Sequence, residues 1–181
     1  MHQQLTLHPD CRCDAVAAIA VDVRRERADR IALTYTLTGQ PGALRIPAIT
    51  APARTDNLWQ TTCFEAFLQP DGEKRYFEFN LSPSMQWTAY RFDDYRAGMK
   101  PLDEIAVREI AIDQDQHSLV LQAMLEVGEL ASAPAWHMGL SAVIEEANGR
   151  KSYWALAHPP GKPDFHHSDC FALLLPAASQ T

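Results

Sequence analysis

Ile31-Ala32-Leu33-Thr34-Tyr35-Thr36-Leu37-Thr38 alternates without a break, setting Ile31, Leu33, Tyr35 and Leu37 on one face and small or polar residues on the other. A period of two is the signature of a half-buried β-strand. The run stops at Gly39-Gln40-Pro41-Gly42, where permissive and fixed φ values together favour a turn. Ser118 to Val127 repeats the pattern with Leu119, Leu121, Ala123, Leu125 and Val127 on one side, and Tyr76 to Leu81 sets Phe77, Phe79 and Leu81 against Tyr76, Glu78 and Asn80. Working outward, further strands are expected over Val16 to Arg24, Thr62 to Leu68, Gln86 to Phe92, Ala106 to Ile112, His137 to Glu145, Tyr153 to Ala157 and Phe171 to Leu175.

Turn signals separate these runs: Pro70-Asp71-Gly72, Ser82-Pro83-Ser84, Asp113-Gln114-Asp115, Asn148-Gly149 and Pro159-Pro160-Gly161. Asn148-Gly149 is the clearest hairpin signal, because a two-residue turn of the right twist needs positive φ at both positions. A helical turn is expected only over Val127 to Ala133, Ile46 to Arg54 reads as a long loop, and Pro176 to Thr181 as a fraying end. Many short strands with regular turns and almost no helix predict an all-β fold, a two-sheet antiparallel β-sandwich. The 181 residues fit a single domain, 1–181.

Composition narrows the function. With 16 Lys+Arg against 23 Asp+Glu the formal charge is -7, and Arg24, Arg25, Arg27 and Arg30 are interrupted by Glu26 and Asp29, so nucleic acid is not an expected partner. No apolar run approaches the roughly 20 residues of a membrane-spanning helix, and no membrane association is expected. No secretory leader is legible, and the four scattered cysteines (Cys11, Cys13, Cys63, Cys170) read as reduced thiols with Cys63 and Cys170 in the core, so the cytoplasm is the expected compartment. There is no phosphate-cradling glycine loop, Gly-x-Ser-x-Gly elbow or His-Glu-x-x-His pair, which argues against an ordinary hydrolase or dehydrogenase.

Three constellations could carry chemistry. The proline-stiffened stretch from His158 to Cys170 offers His166, His167 and Asp169 as ligands for a structural divalent metal, although neighbours in an extended chain point to opposite sides. The tryptophans Trp59, Trp87, Trp136 and Trp154, with Tyr76, Tyr90, Tyr95, Tyr153 and Phe165 nearby, offer flat faces for a sugar ring or large residues for a core. Trp154, bordering the histidine loop, is the best platform. Glu65 and Glu78 lie mid-strand opposite bulky apolar residues and would share a polar face with Asn80 if their strands pair. Such a pair can do general acid/base work on a glycosidic bond; the commoner arrangement is a solvated face on which Arg54, Arg75 or Arg91 neutralises it.

Leu58-Trp59-Gln60-Thr61-Thr62-Cys63-Phe64-Glu65-Ala66-Phe67-Leu68, then Tyr76-Phe77-Glu78-Phe79-Asn80-Leu81-Ser82-Pro83, resembles the family 9 carbohydrate-binding modules and the wider DOMON-like superfamily. The closing segment, Tyr153-Trp154 with Pro163-Asp164-Phe165-His166 and Cys170-Phe171-Ala172-Leu173, extends the likeness over roughly Arg54 to Leu175. The resemblance implies a jelly-roll-like β-sandwich and a non-catalytic module that binds a carbohydrate or similar small polar ligand. Carried over by position, Trp59 and Trp154 would be the aromatic contacts, and Glu65, Glu78, Asn80 and His166 the polar ones. The pattern departs at Thr61-Thr62-Cys63, where relatives often carry an acid, and at Ala172, where they carry glycine. Some DOMON domains bind haem and pass electrons; Met85, Met99, Met138, His137 and His158 are the candidate axial ligands here. An exposed sheet edge for a protein partner is the remaining alternative.

Overall fold

The computed structural model describes residues 1–103, 106–128 and 135–177. The described residues form thirteen strands: β1 (His2–Leu7), β2 (Val16–Arg27), β3 (Arg30–Gly39), β4 (Ala53–Arg54), β5 (Cys63–Pro70), β6 (Tyr76–Leu81), β7 (Gln86–Phe92), β8 (Lys100–Pro101), β9 (Ala106–Gln114), β10 (Ser118–Glu126), β11 (Ala135–Glu145), β12 (Lys151–Ala155) and β13 (Leu173–Pro176). The fold is all-β, with only short 3-10 turns beside the strands among the described residues. The helical turn expected over Val127 to Ala133 lies largely outside the described residues, as do the last four positions of the expected fraying end.

Two features of the expected sandwich are corrected. Hydrogen bonding runs as one continuous curled path, β4-β7-β6-β5-β11-β12-β1-β2-β3-β10-β9, rather than as two separate sheets. The link is β1, which pairs His2 to Leu5 with β2 and Thr6 and Leu7 with β12. The pairing is also mixed, because β4 runs parallel to β7 through Ala53↔Gln86 and Arg54↔Trp87; the end of the expected Ile46 to Arg54 loop is thus a short edge strand.

The curl brings two sets of strands face to face. Ile31, Leu33, Tyr35 and Leu37 of β3 and Leu119, Leu121 and Leu125 of β10 are fully or almost fully buried, in one core with Phe64, Ala66 and Leu68 of β5 and Phe77, Phe79 and Leu81 of β6. Each such side chain contributes roughly 1.5–3 kcal/mol by leaving water. Tyr35 closes the gap between the halves, with its ring 4.9 Å from that of Phe64 and its hydroxyl donating to the Glu65 carbonyl at 2.7 Å.

The outer face of β5, β6, β7, β11 and β12 carries a second apolar layer, including Phe67, Tyr76, Phe92, Phe165 and Phe171. The chain after β12 folds back over this face, so β5 and β6 are buried on both sides. Gly139 makes that close approach possible: a Cβ there would lie 2.7 Å from Cδ1 of Phe171. All four cysteines are free thiols, with Cys63 and Cys170 buried.

The Asn148-Gly149 hairpin forms between β11 and β12 with a different turn from the expected two-residue one. Glu146 N–H bonds the Arg150 carbonyl and Gly149 N–H the Glu146 carbonyl, leaving a three-residue loop in which Gly149, at φ 86°, takes the left-handed position alone. This is the loop of a turn followed by a bulge, which needs only one permissive residue.

Candidate functional site

The outer layer is incomplete over Glu65 and Glu78, and there it opens into a cleft of about 520 Å³. Its floor is fixed by strand register. Glu65 lies opposite Asn80 across β5 and β6, and Glu78 lies opposite Phe67 on one side and Tyr90 of β7 on the other. The two glutamates are therefore diagonal neighbours on one face, about 7–8 Å apart at the backbone, within reach of long side chains. Both are buried, at 3% and 6% exposure.

Each carboxyl is held from within the sheet. Ser141 Oγ donates to Glu65 Oε2 at 3.4 Å, and Asn80 Nδ2 donates to Glu78 Oε1 at 2.6 Å. Burial raises Glu65 well above the ordinary carboxylate range, and the nearby Glu78 raises it further. Burial likewise brings Glu78 up to about 7, although Asn80 and the positive charge of Arg96 oppose the shift. The arginines considered as neutralising partners are engaged elsewhere: Arg75 with Glu73, Arg91 with Asp93, and Arg54 with Asp103 and the Leu102 carbonyl.

One wall is His166. Its Nε2 stands 3.8 Å from Glu78 Oε2, and its Nδ1 lies 2.8 Å from the Tyr76 hydroxyl. That hydroxyl also accepts the Arg96 backbone N–H at 3.2 Å, so it is tied to both elements of this wall. Desolvation, aided by Arg96, brings His166 down to about 4. The loop bearing it is fastened by Asp164, which accepts from Tyr95 at 2.5 Å, from the Arg96 guanidinium at 2.7 Å and from the His166 backbone at 3.2 Å.

The rim is a short 3-10 turn, Leu58–Gln60, capped by Asn57 at φ 63°. Leu58 anchors the turn in the interior, and Trp59 is left 50% exposed beside the cleft. Tyr90 bonds Asp56 at 2.6 Å and Lys151 bonds the Gln60 carbonyl at 2.6 Å, so both ends of the turn are tied down. Among the described residues, Asn57 and Arg96 (φ 51°) are two of four non-glycine residues in the left-handed region, and both line this cleft. Such backbone persists only where its surroundings enforce it, and it concentrates at binding sites.

Of the residues expected from sequence, Trp59, Glu65, Glu78 and His166 line this cleft, and Asn80 sits beneath it as the support of Glu78. Trp154 does not join them. It points to the other face of β12, is 6% exposed within the main core, and donates its indole N–H to Ser152 Oγ at 3.1 Å. The metal candidates also separate: His166 turns to Tyr76 and Glu78, while His167 Nδ1 accepts from the Asp169 backbone at 3.2 Å. Among the described residues no three His, Cys, Asp or Glu side chains are grouped to hold a metal ion. The haem-ligand candidates are scattered, with Met138 in the core, His137 on Asp71, His158 on the Thr6 carbonyl, Met85 packed against the core and Met99 on the cleft rim.

Sequence reasoning missed Asn57, Arg96 and Lys151, which come from turns or from the outward parity of β12, and named Met99 only as a haem-ligand candidate. The parity was a usable signal: Lys151 and Tyr153 face the cleft because Ser152 and Trp154 face the core.

No protein-family model matches the chain, and no curated protein matches it in sequence. Among solved structures, a candidate carbohydrate-binding protein from Bacteroides uniformis superposes with a TM-score of 0.64 at 14% identity, covering 95% of this chain and 84% of the other. A family 9 carbohydrate-binding module from Caldicellulosiruptor kristjanssonii, in complex with glucose, superposes with a TM-score of 0.48 at 7% identity, covering 84% of this chain and 72% of the other. At 14% identity the first of these likenesses establishes a shared fold.

Proposed function

We propose that the chain is a carbohydrate-binding module of the DOMON-like, jelly-roll kind, with its ligand in the Trp59 cleft. The observation that carries this reading is the pairing of an exposed indole, held by a strained and doubly tethered turn, with a buried polar floor of Glu65 and Glu78. Trp59 offers a half-exposed indole face at the mouth of a cleft with a polar floor, and a sugar ring presents an apolar face to stack and hydroxyls to bond. The cleft volume falls within the usual 300–1,000 Å³ of small-ligand sites. The fold shared with a candidate carbohydrate-binding protein agrees with it.

The test is a thermal-shift screen of the purified protein against monosaccharides and short oligosaccharides, followed by calorimetric titration of any that raises the melting temperature. A ligand that binds only the native state must raise it. Binding that disappears in Trp59→Ala, with the fold intact, supports the site. Binding untouched by that change places the ligand elsewhere, and no binding across the panel removes the reading.

A further inference from the structure

The carboxyl pair on the cleft floor has no cation of its own. Neither Glu65 nor Glu78 makes an ion pair with a lysine or arginine of the described residues; the basic group within 4 Å is His166, 3.8 Å from Glu78, and burial brings it down to about 4. The Arg96 guanidinium acts on both at a distance while bonding Asp164 at 2.7 Å, and Lys151, at the mouth, bonds the Gln60 carbonyl at 2.6 Å. The other ionisable groups nearby are engaged as well: Tyr76 faces His166, Asp56 faces Tyr90, Asp164 holds Tyr95 and Arg96, and the buried Tyr35 and Cys63 bond the Glu65 carbonyl and Asn80 Oδ1 respectively. A buried carboxylate without a counter-charge is costly, so protons fill that place.

The walls add a second, independent feature. Trp59, Tyr90, Phe92, Tyr153 and Phe165 all line the same cleft as the two acids. Aromatic walls around a carboxyl floor are the surroundings that favour an ammonium group, through ring quadrupoles on the sides and ionised oxygens below. A neutral sugar would use the same walls without drawing protons from the two acids.

We infer that the ligand of this cleft is an amino sugar, its ammonium set against Glu65 and Glu78 and its ring face on Trp59. The inference rests on the carbohydrate reading and narrows it. When the ammonium enters, the carboxyl it meets ionises and releases its proton to the buffer, so binding is coupled to proton release. Affinity for an amine ligand therefore rises with pH across the range in which the glutamates hold their protons, as long as the amine itself stays protonated.

The experiment is calorimetric titration of the full chain at neutral pH with glucose, glucosamine, N-acetylglucosamine and ethanolamine, repeated in two buffers of different ionisation enthalpy. Glucosamine is expected to bind about tenfold or more tightly than glucose or N-acetylglucosamine, with proton release visible as a buffer-dependent heat. In the Glu65→Gln/Glu78→Gln double variant, checked for an unchanged fold by its melting profile, that preference is expected to vanish. Equal affinity for the three sugars, without proton release, overturns the inference and leaves the carbohydrate reading standing. Binding of ethanolamine as tight as glucosamine, with no binding of glucose, supports the ammonium site and removes the sugar. Absence of binding by all four overturns the inference; whether the carbohydrate reading falls with it is settled by the wider sugar screen.

Discussion

His166 Nε2 stands 3.8 Å from Glu78 Oε2, and of the two residues it is the glutamate that keeps a proton to the higher pH. Both shifts have one cause: burial penalises whichever form is charged, and it does so in opposite directions for an acid and a base.

The effects on stability oppose each other. Glu78, at about 7 against an ordinary 4.5, contributes stability that is complete below pH 4.5 and is lost as pH rises to about 7. His166, at about 4 against 6.5, contributes stability that is complete above pH 6.5 and is lost as pH falls to about 4. Together they leave the pair's contribution nearly level between these limits. Glu78→Gln is expected to gain stability relative to wild type as pH rises through this window, and His166→Gln as pH falls, each by on the order of 3 kcal/mol. Urea-denaturation midpoints measured from pH 4 to 8 check both slopes; parallel curves for the two variants refute the assignment.

Asn80 is the support of Glu78, and Asn80→Ala is expected to do two things. Loss of the buried donor costs about 1–3 kcal/mol of stability, and the Glu78 carboxyl moves above about 7. A carboxyl-carbon NMR titration of selectively labelled glutamate reads the second effect directly.

Two tryptophans separate binding from folding. Trp59→Ala is expected to weaken the best sugar found in the thermal-shift panel about tenfold to a hundredfold while leaving the melting temperature almost unchanged. Trp154→Ala, which empties a buried site in the core, is expected to cost about 3–5 kcal/mol. Titration calorimetry and thermal denaturation on the same two variants give the comparison.

Gly139 tests the covering layer. Gly139→Ala would drive a methyl group to 2.7 Å from Phe171 Cδ1, and Phe171 is packed between Phe67 and Tyr76 with little room to give. The expected cost is about 1–3 kcal/mol, with a chemical-shift change spreading to His166 because both residues ride on the same returning segment.

Strand positions were legible where alternation was strong: Tyr76 to Leu81 and Gln86 to Phe92 are strands with those bounds. Strand β1 was not, because Gln3 occupies an inward position beside Leu5 and Leu7 and breaks the apolar alternation. Missing it hid the link that makes the sheet one continuous path. In the site, Glu65, Glu78 and Asn80 were brought to one face by a register that local pattern foreshadowed. The burial of that face was illegible, since it depends on Phe165 and Phe171 returning from about a hundred residues away. Trp154 was misjudged because proximity to the histidine loop was weighed above strand parity.

Burial of β5 and β6 on both faces also fixes how a ligand meets this protein. Backbone amides in a central strand, hydrogen-bonded along both edges and buried over most of its length, exchange with solvent chiefly when the whole fold opens, so the cleft floor belongs to the slowest-exchanging part of the chain. A floor of that kind does not rearrange around its guest. The ligand loses its own freedom on binding while the acids beneath it lose almost none, and selectivity rests on which molecules already match a fixed arrangement.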